Sequence, residues 1–241
     1  MTPMANAVPR RITDDGTAAS VRLTAADQPE ILRYIGYSGQ VIDESLTKQI
    51  GDIIEKLNRA ADPKLTAVLY TCKTAGSWPD ALTFLAGDDI KAHLAGCREI
   101  LLMGATIGAG VDRAIHIEEV RDAVGALIMD SAGSTLIEAV CDSFEAELRR
   151  RAAKEGKFLT TRFSPGYGDL PLAVQNRFGE LIEARRIGLT ITPEHIMVPR
   201  KSVTAIIGIA DHPLRAKKRT CADCNMHESC RFRKNGVVCG E

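Results

Sequence analysis

Charge of neither sign is in surplus: 31 Lys and Arg balance 31 Asp and Glu, for a formal net charge of zero. A protein whose main partner is a nucleic acid needs a basic excess over much of a surface, so that class is set aside. No apolar run approaches the roughly 18 residues of a membrane span, and the opening residues lack the apolar core of a signal peptide. A cytoplasmic protein without a membrane partner is expected. A phosphate-binding fingerprint is missing as well. Gly104, Gly108 and Gly110 follow an apolar stretch, but their spacing is neither that of a P-loop nor that of a dinucleotide site, and no lysine follows them. Tight strand-to-helix packing is the expected use of those glycines.

With 241 residues, 45% apolar and 26% charged, the composition is that of a soluble globular protein of one large or two small domains. Residues 1–20 are small, polar and proline-punctuated and are expected to be a disordered lead, with a strand at 20–23. A short helix over 29–34 ending at Gly36 and a longer one carrying Ile42, Leu46, Ile50, Ile53, Ile54 and Leu57 follow from apolar residues at helical spacing. Residues 65–72 and 99–103 read as strands, and 88–94 as a short helix with Asp88 as its cap and His93 on its surface. Helix resumes from Val111. After the loop described next, 172–187 is expected to be one amphipathic helix closed by Arg185, Arg186 and Gly188, and 189–192 and 202–209 to be strands. The fold class is α+β: an antiparallel or mixed sheet covered by helices, with a small metal-bound C-terminal appendage.

Residues 160–171 hold one Arg, two Pro and two Gly and cannot be a helix interior or a central strand. This loop lays the planar cation Arg162 near Ser164, Pro165, Gly166 and the phenol Tyr167. Arg162 suits bidentate grip of a carboxylate, and Pro165-Gly166 brings backbone close to a ligand. An amino-acid-like ligand fits that chemistry, and an ordinary structural turn is the alternative. On the preceding helix, Ser134, Glu138 and Asp142 recur every four residues and share one face. They form either a solvated stripe or the partner of a cation.

The pattern Arg162-x-x-x-Gly166-Tyr167 resembles the S-adenosylmethionine-binding signature of the activation domain of cobalamin-dependent methionine synthase. The helix around residues 135–142 is similar to the one in that domain whose carboxylates face the sulfonium, with Glu138 at the glutamate of the pattern. Ser134 stands where enzyme-embedded members have an aspartate, which leaves Asp130 as a substitute. The order Leu189-Thr190-Ile191-Thr192, Met197-Val198-Pro199, then 202–208 also matches, so the resemblance runs over about residues 120–213 and more loosely back to Tyr34-Ile35-Gly36-Tyr37 and 40–43. It implies an activation-like domain over 21–213 that binds S-adenosylmethionine through Glu138, Arg162, Ser164, Pro165, Gly166 and Tyr167. The implied task is the reductive methylation of a cobalamin-dependent methionine synthase or related corrinoid methyltransferase. Cobalamin would sit on the partner, because no Asp-x-His-x-x-Gly motif is present here. The glycine signature of Rossmann-type methyltransferases is missing too.

Residues 214–241 form a separate tail. Cys221, Cys224, Cys230 and Cys239 are spaced C-x2-C-x5-C-x8-C, whereas Cys72, Cys97 and Cys141 stand alone in apolar or helical surroundings. Clustered thiolates in a reduced compartment are a metal site. Zinc, with His227 as a spare ligand, and a [4Fe-4S] cluster both accept this donor set. The resemblance favours the iron-sulfur cluster, since reductive activation uses a one-electron carrier. Arg215, Lys217, Lys218, Arg219, Arg231, Arg233 and Lys234 flank the cysteines and would suit docking of an acidic donor such as a flavodoxin or ferredoxin. The competing reading is a non-catalytic, zinc-stapled binding module for an anionic metabolite or a protein partner.

Overall fold

The computed structural model describes residues 9–12, 16–37, 39–214 and 228. In chain order its main elements are β1 (Arg10–Ile12), α1 (Thr17–Ser20), α2 (Gln28–Ile35), α3 (Glu44–Ala60), β2 (Lys64–Thr71), α4 (Asp88–His93), β3 (Glu99–Thr106), α5 (Ala109–Arg121), α6 (Ala123–Lys154), β4 (Phe158–Leu159), α7 (Gln175–Leu181), β5 (Thr190–Ile191), β6 (Met197–Val198) and β7 (Ser202–Ala210). Five strands make one sheet in the order β1-β2-β3-β7-β4, and every neighbouring pair is antiparallel. β5 and β6 form a separate two-stranded ribbon.

Side chains alternate across a strand, and here both faces of the sheet are covered. Leu69, Leu101, Met103, Ile207 and Ile209 pack against a layer built from α1, α2, α3, α5 and α6. Val68, Tyr70, Ile100, Leu102 and Ile206 face the opposite way, onto Ile90 of α4, Phe178 of α7 and the turns around them. α3 shows why its sequence folds as it does. Asp43 accepts the Leu46 N–H at 2.7 Å as its cap, and Ile50, Ile53, Ile54 and Leu57 recur on the buried side. Burial of each such side chain contributes about 1.5–3 kcal/mol. The 32-residue α6 is apolar and long enough to cross a membrane by composition, but 67% of its most apolar window is buried inside the fold, as in a core helix.

Three expectations change. Arg10, Arg11 and Ile12, placed in the lead, are a strand paired with Leu69, Val68 and Ala67. A three-residue strand is too short to show alternation, and it forms because the outer edge of β2 offers unpaired backbone groups. The strand expected at 20–23 does not form. Ser20 ends α1, and the Asn58 carboxamide accepts the Leu23 N–H at 3.1 Å and donates to its carbonyl at 2.8 Å, taking the place of a neighbouring strand. The single helix expected over 172–187 is broken into the 3-10 turn Leu172–Val174, α7 and the 3-10 turn Ala184–Ile187. Glu183 adopts the left-handed conformation at the break (φ 51°), which turns both Ile182 and Ala184 into the core. Cys221, Cys224, Cys230, Cys239, His227 and the seven basic residues around them lie outside the described residues.

The glycines after β3 serve packing. Gly108 is left-handed (φ 83°), and a Cβ added to Gly110 would lie 2.2 Å from the Ala60 carbonyl oxygen at the end of α3. Backbone cannot yield as a side chain does, so Gly110→Ala should destabilise the protein by about 2–3 kcal/mol. Urea unfolding measures this directly; an unchanged midpoint would contradict the close approach of α5 to α3.

Candidate functional site

The 160–171 loop is fastened to the structure at both ends before it presents any side chain. β4 pairs Leu159 with Ile209, and the backbones of Phe163 and Ile206 exchange hydrogen bonds of 2.9 and 2.8 Å. From one pair to the other the chain advances four residues on the loop side (159 to 163) but three on β7 (209 to 206). One extra residue is therefore accommodated, as in a β-bulge, and it reverses the face on which the following side chains lie. Leu159 packs on the helical layer, whereas Phe163 packs on the opposite face with Ile206. Arg162, next to Phe163, is thereby directed at α6.

At its far end the loop is tied to α4. Asp169 accepts the Asp88 and Asp89 N–H groups at 2.5 and 3.1 Å, and the Asp169 N–H donates to the Asp89 carboxylate at 3.2 Å. The cap of α4 is thus Asp169 and not Asp88 as expected, and it comes from a residue some 80 positions away. A Cβ on Gly168 would lie 2.3 Å from the Asp89 carboxylate, which explains a glycine there. His93, expected on the helix surface, donates its Nε2–H to the Thr161 carbonyl at 2.9 Å, and its ring lies 5.1 Å from that of Phe163.

Arg162 and Glu138 meet. The Arg162 Nη2 lies 3.0 Å from Glu138 Oε2 and 2.8 Å from Asp142 Oδ1, while its Nη1 lies 3.1 Å from Glu145 Oε2. Of the two outcomes open for the acidic face of α6, it is the partner of a cation. The guanidinium is 19% exposed. Burial works against its charge, but the hydrogen bond to Asp142 and the surrounding negative charges prevail and raise its pKa. Burial raises the Glu138 pKa, against the pull of Arg162 and with help from Asp142 and Glu30. Beneath them Cys141 is wholly buried and its thiol is pushed up to about 12, so it is no nucleophile.

α2 closes one side. The Arg33 guanidinium lies over the Tyr34 ring at 4.8 Å and pairs with Glu30, and burial together with the charges of Glu138 and Glu30 pushes the Tyr34 phenol up. One turn before Glu138, Ser134 and Asp130 are both taken by Lys201 Nζ, each at 2.9 Å. The position at which Asp130 would substitute is therefore already paired with a lysine.

The remaining loop residues form a turn. Tyr167 N–H donates to the Ser164 carbonyl at 3.1 Å, Gly166 N–H to the Leu170 carbonyl at 2.9 Å, and Gly166 is left-handed (φ 90°). Pro165 is buried and the Tyr167 ring is 58% exposed. This turn makes no hydrogen bond to Arg162 or Glu138 among the described residues. Glu145 and Arg149 escaped the sequence reading. Glu145 lies three residues after Asp142 and so shares the face of Ser134, Glu138 and Asp142, although their strict four-residue spacing points to Ala146 instead.

Neither a protein-family model nor a curated protein matches this chain. Among solved structures, the chain is similar to the MetH reactivation domain bound to AdoHcy, with a TM-score of 0.54 and 15% sequence identity over 96% of this chain and 86% of that one. The likeness is one of fold: an antiparallel five-stranded sheet packed against helices, as seen here.

Proposed function

We propose that this protein binds S-adenosylmethionine at the seam between the 160–171 loop and α6, and serves the reductive reactivation of a cobalamin-dependent methionine synthase or related corrinoid protein. The observation that carries the proposal is the meeting of Arg162 and Glu138 at 3.0 Å, two residues 24 positions apart, within a fold like that of the MetH reactivation domain. In this reading Arg162 holds the ligand carboxylate, Glu138 faces its positive end, and Ser164, Pro165, Gly166 and Tyr167 line the entrance.

Charge supports the assignment. Three carboxylates face two guanidinium groups, Arg162 and the Arg149 that pairs with Glu145, which leaves the cluster with a net charge of minus one when all are ionised. S-adenosylmethionine carries a carboxylate, an ammonium and a sulfonium, and is net positive. Once the methyl group has left, the product is neutral overall, so the same site holds the donor more tightly than the product.

The reaction consumes one electron and one methyl group per inactive cob(II)alamin, and both products, methylcobalamin and S-adenosylhomocysteine, are accounted for. No group of three His, Cys, Asp or Glu among the described residues is arranged to hold a metal ion. In this reading the electron carrier is held by Cys221, Cys224, Cys230 and Cys239, whose spacing in the sequence suits a metal site. Four thiolates suit a [4Fe-4S] cluster, which when bound supplies one-electron transfer, or zinc, which does not. The seven basic residues around them suit an acidic flavodoxin or ferredoxin.

Calorimetry on the wild-type protein should detect S-adenosylmethionine. Arg162→Ala should lose at least about tenfold in affinity, since removing a charged, partly desolvated partner costs about 2–5 kcal/mol; an equal affinity would end the assignment. In anaerobic mixtures with a cobalamin-loaded methionine synthase lacking its own activation domain, reductant and S-adenosylmethionine, the protein should speed conversion of cob(II)alamin to methylcobalamin. If the rate stays at that of the mixture alone, the binding-module reading replaces this one. Protein purified without oxygen should be brown, absorb near ~400 nm and bleach on reduction, and colourless protein with one zinc per chain would leave the tail a structural clasp.

A further inference from the structure

The three carboxylates around Arg162 are unequal. Glu145 is 16% exposed, whereas Glu138 is 45% and Asp142 69% exposed. They also occupy different ends of the guanidinium: Glu145 alone takes Nη1, and Glu138 and Asp142 share Nη2. Glu145 is itself anchored from behind. Its Oε1 accepts from Arg149 Nε and Nη2 at 3.0 and 2.6 Å. Arg149 in turn donates to the carbonyls of Leu159 at 3.1 Å and Thr160 at 2.8 Å, at the entry to the loop that carries Arg162. Glu145 thus bridges two arginines, one fixing the loop backbone and the other displayed by that loop.

Resting on the reading of Arg162 as the group that receives a ligand carboxylate, we infer that Glu145 and Asp142 have opposite roles there. Glu145 is a positioning residue. Through Nη1 it holds the guanidinium in a fixed plane and leaves the Nη2 edge turned toward solvent. Asp142 is an internal stand-in for the ligand: its carboxylate occupies the edge that an incoming carboxylate must take, on the most exposed and therefore most displaceable of the three side chains. Ligand entry exchanges one carboxylate for another at Nη2, while the contact at Nη1 persists. Glu138 stays beside the exchanged edge, available to the positive end of the same ligand.

The two roles predict effects of opposite sign from changes on one helix face. Glu145→Gln preserves side-chain volume but removes the charge that orients Arg162, so S-adenosylmethionine affinity measured by calorimetry should fall about tenfold or more. Asp142→Asn removes the competitor, so affinity should rise by several-fold. Equal affinity of Glu145→Gln and wild type, or weaker binding by Asp142→Asn, overturns the inference. A second measurement does not depend on the ligand. Nitrogen-detected magnetic resonance of the arginine side chains reads rotation about the guanidinium bonds. Arg162 should rotate slowly in wild type and in Asp142→Asn, and rapidly in Glu145→Gln. If wild type binds no S-adenosylmethionine, the proposed function fails, and this signal alone decides the positioning role: restricted Arg162 in Glu145→Gln refutes it, and selective release supports it.

Discussion

A guanidinium withdrawn from water has to meet opposite charge, and the arrangement of Arg162 among Glu138, Asp142 and Glu145 fixes the loop against α6. The attraction to the buried Glu145 at about 3 Å is worth several kcal/mol in an environment of intermediate dielectric, whereas those to the more exposed Glu138 and Asp142 are screened by water. Taking Arg162 and Glu145 out of water costs a comparable amount. The cluster therefore adds little net stability. What it adds is position: Arg162 has few other places in which its charge is satisfied, and neither do the carboxylates. A site that must receive a charged ligand benefits from that near balance, because a partner that is only marginally held is readily exchanged.

The direction of Arg162 depends on the backbone before it depends on charge. Without the extra residue between the Leu159 and Phe163 pairings, alternation would place Arg162 on the face occupied by Ile206 and Phe178, away from α6 and its carboxylates. The register is held by Phe163, buried on that face, by the His93 contact to Thr161 and by the Asp169 cap on α4. Packing on one side of the sheet thereby aims a cation on the other.

Much of this was legible in the sequence because it was local. The prolines and glycines of 160–171 exclude regular structure, the four-residue spacing of Ser134, Glu138 and Asp142 places them on one face, and the apolar periodicity of α3 needs no partner to be recognised. The parts that were not legible are pairings between distant residues. Asp169 looks like a turn residue until α4 stands opposite it. Glu145 and Arg149 look like one of the i,i+4 pairs that decorate any exposed helix, worth a few tenths of a kcal/mol, and only the fold shows that Arg149 holds the loop backbone and Glu145 pairs with Arg162. β1 was missed for a related reason, since three residues carry no period and only the edge of β2 defines them.

Ser134 shows how the same helix face adapts along its length. Lys201, immediately before β7, reaches Ser134 and Asp130, and Arg162, on the loop that follows β4 beside β7, reaches Glu138 and the two acids beyond it. Both cations take their positions from β7, one from its start and the other from its neighbour, so the register of one strand sets where positive charge falls on α6. At that turn the single carboxylate of Asp130 already faces Lys201, with Arg200 at 3.9 Å, and the neutral hydroxyl at Ser134 accepts a further hydrogen bond from the ammonium without adding charge. One turn further on, three carboxylates face Arg162, and only Glu145 has a second arginine, Arg149, to itself. The excess of negative charge is thus confined to the end of the stripe where the loop opens, which is where a cationic ligand would need it.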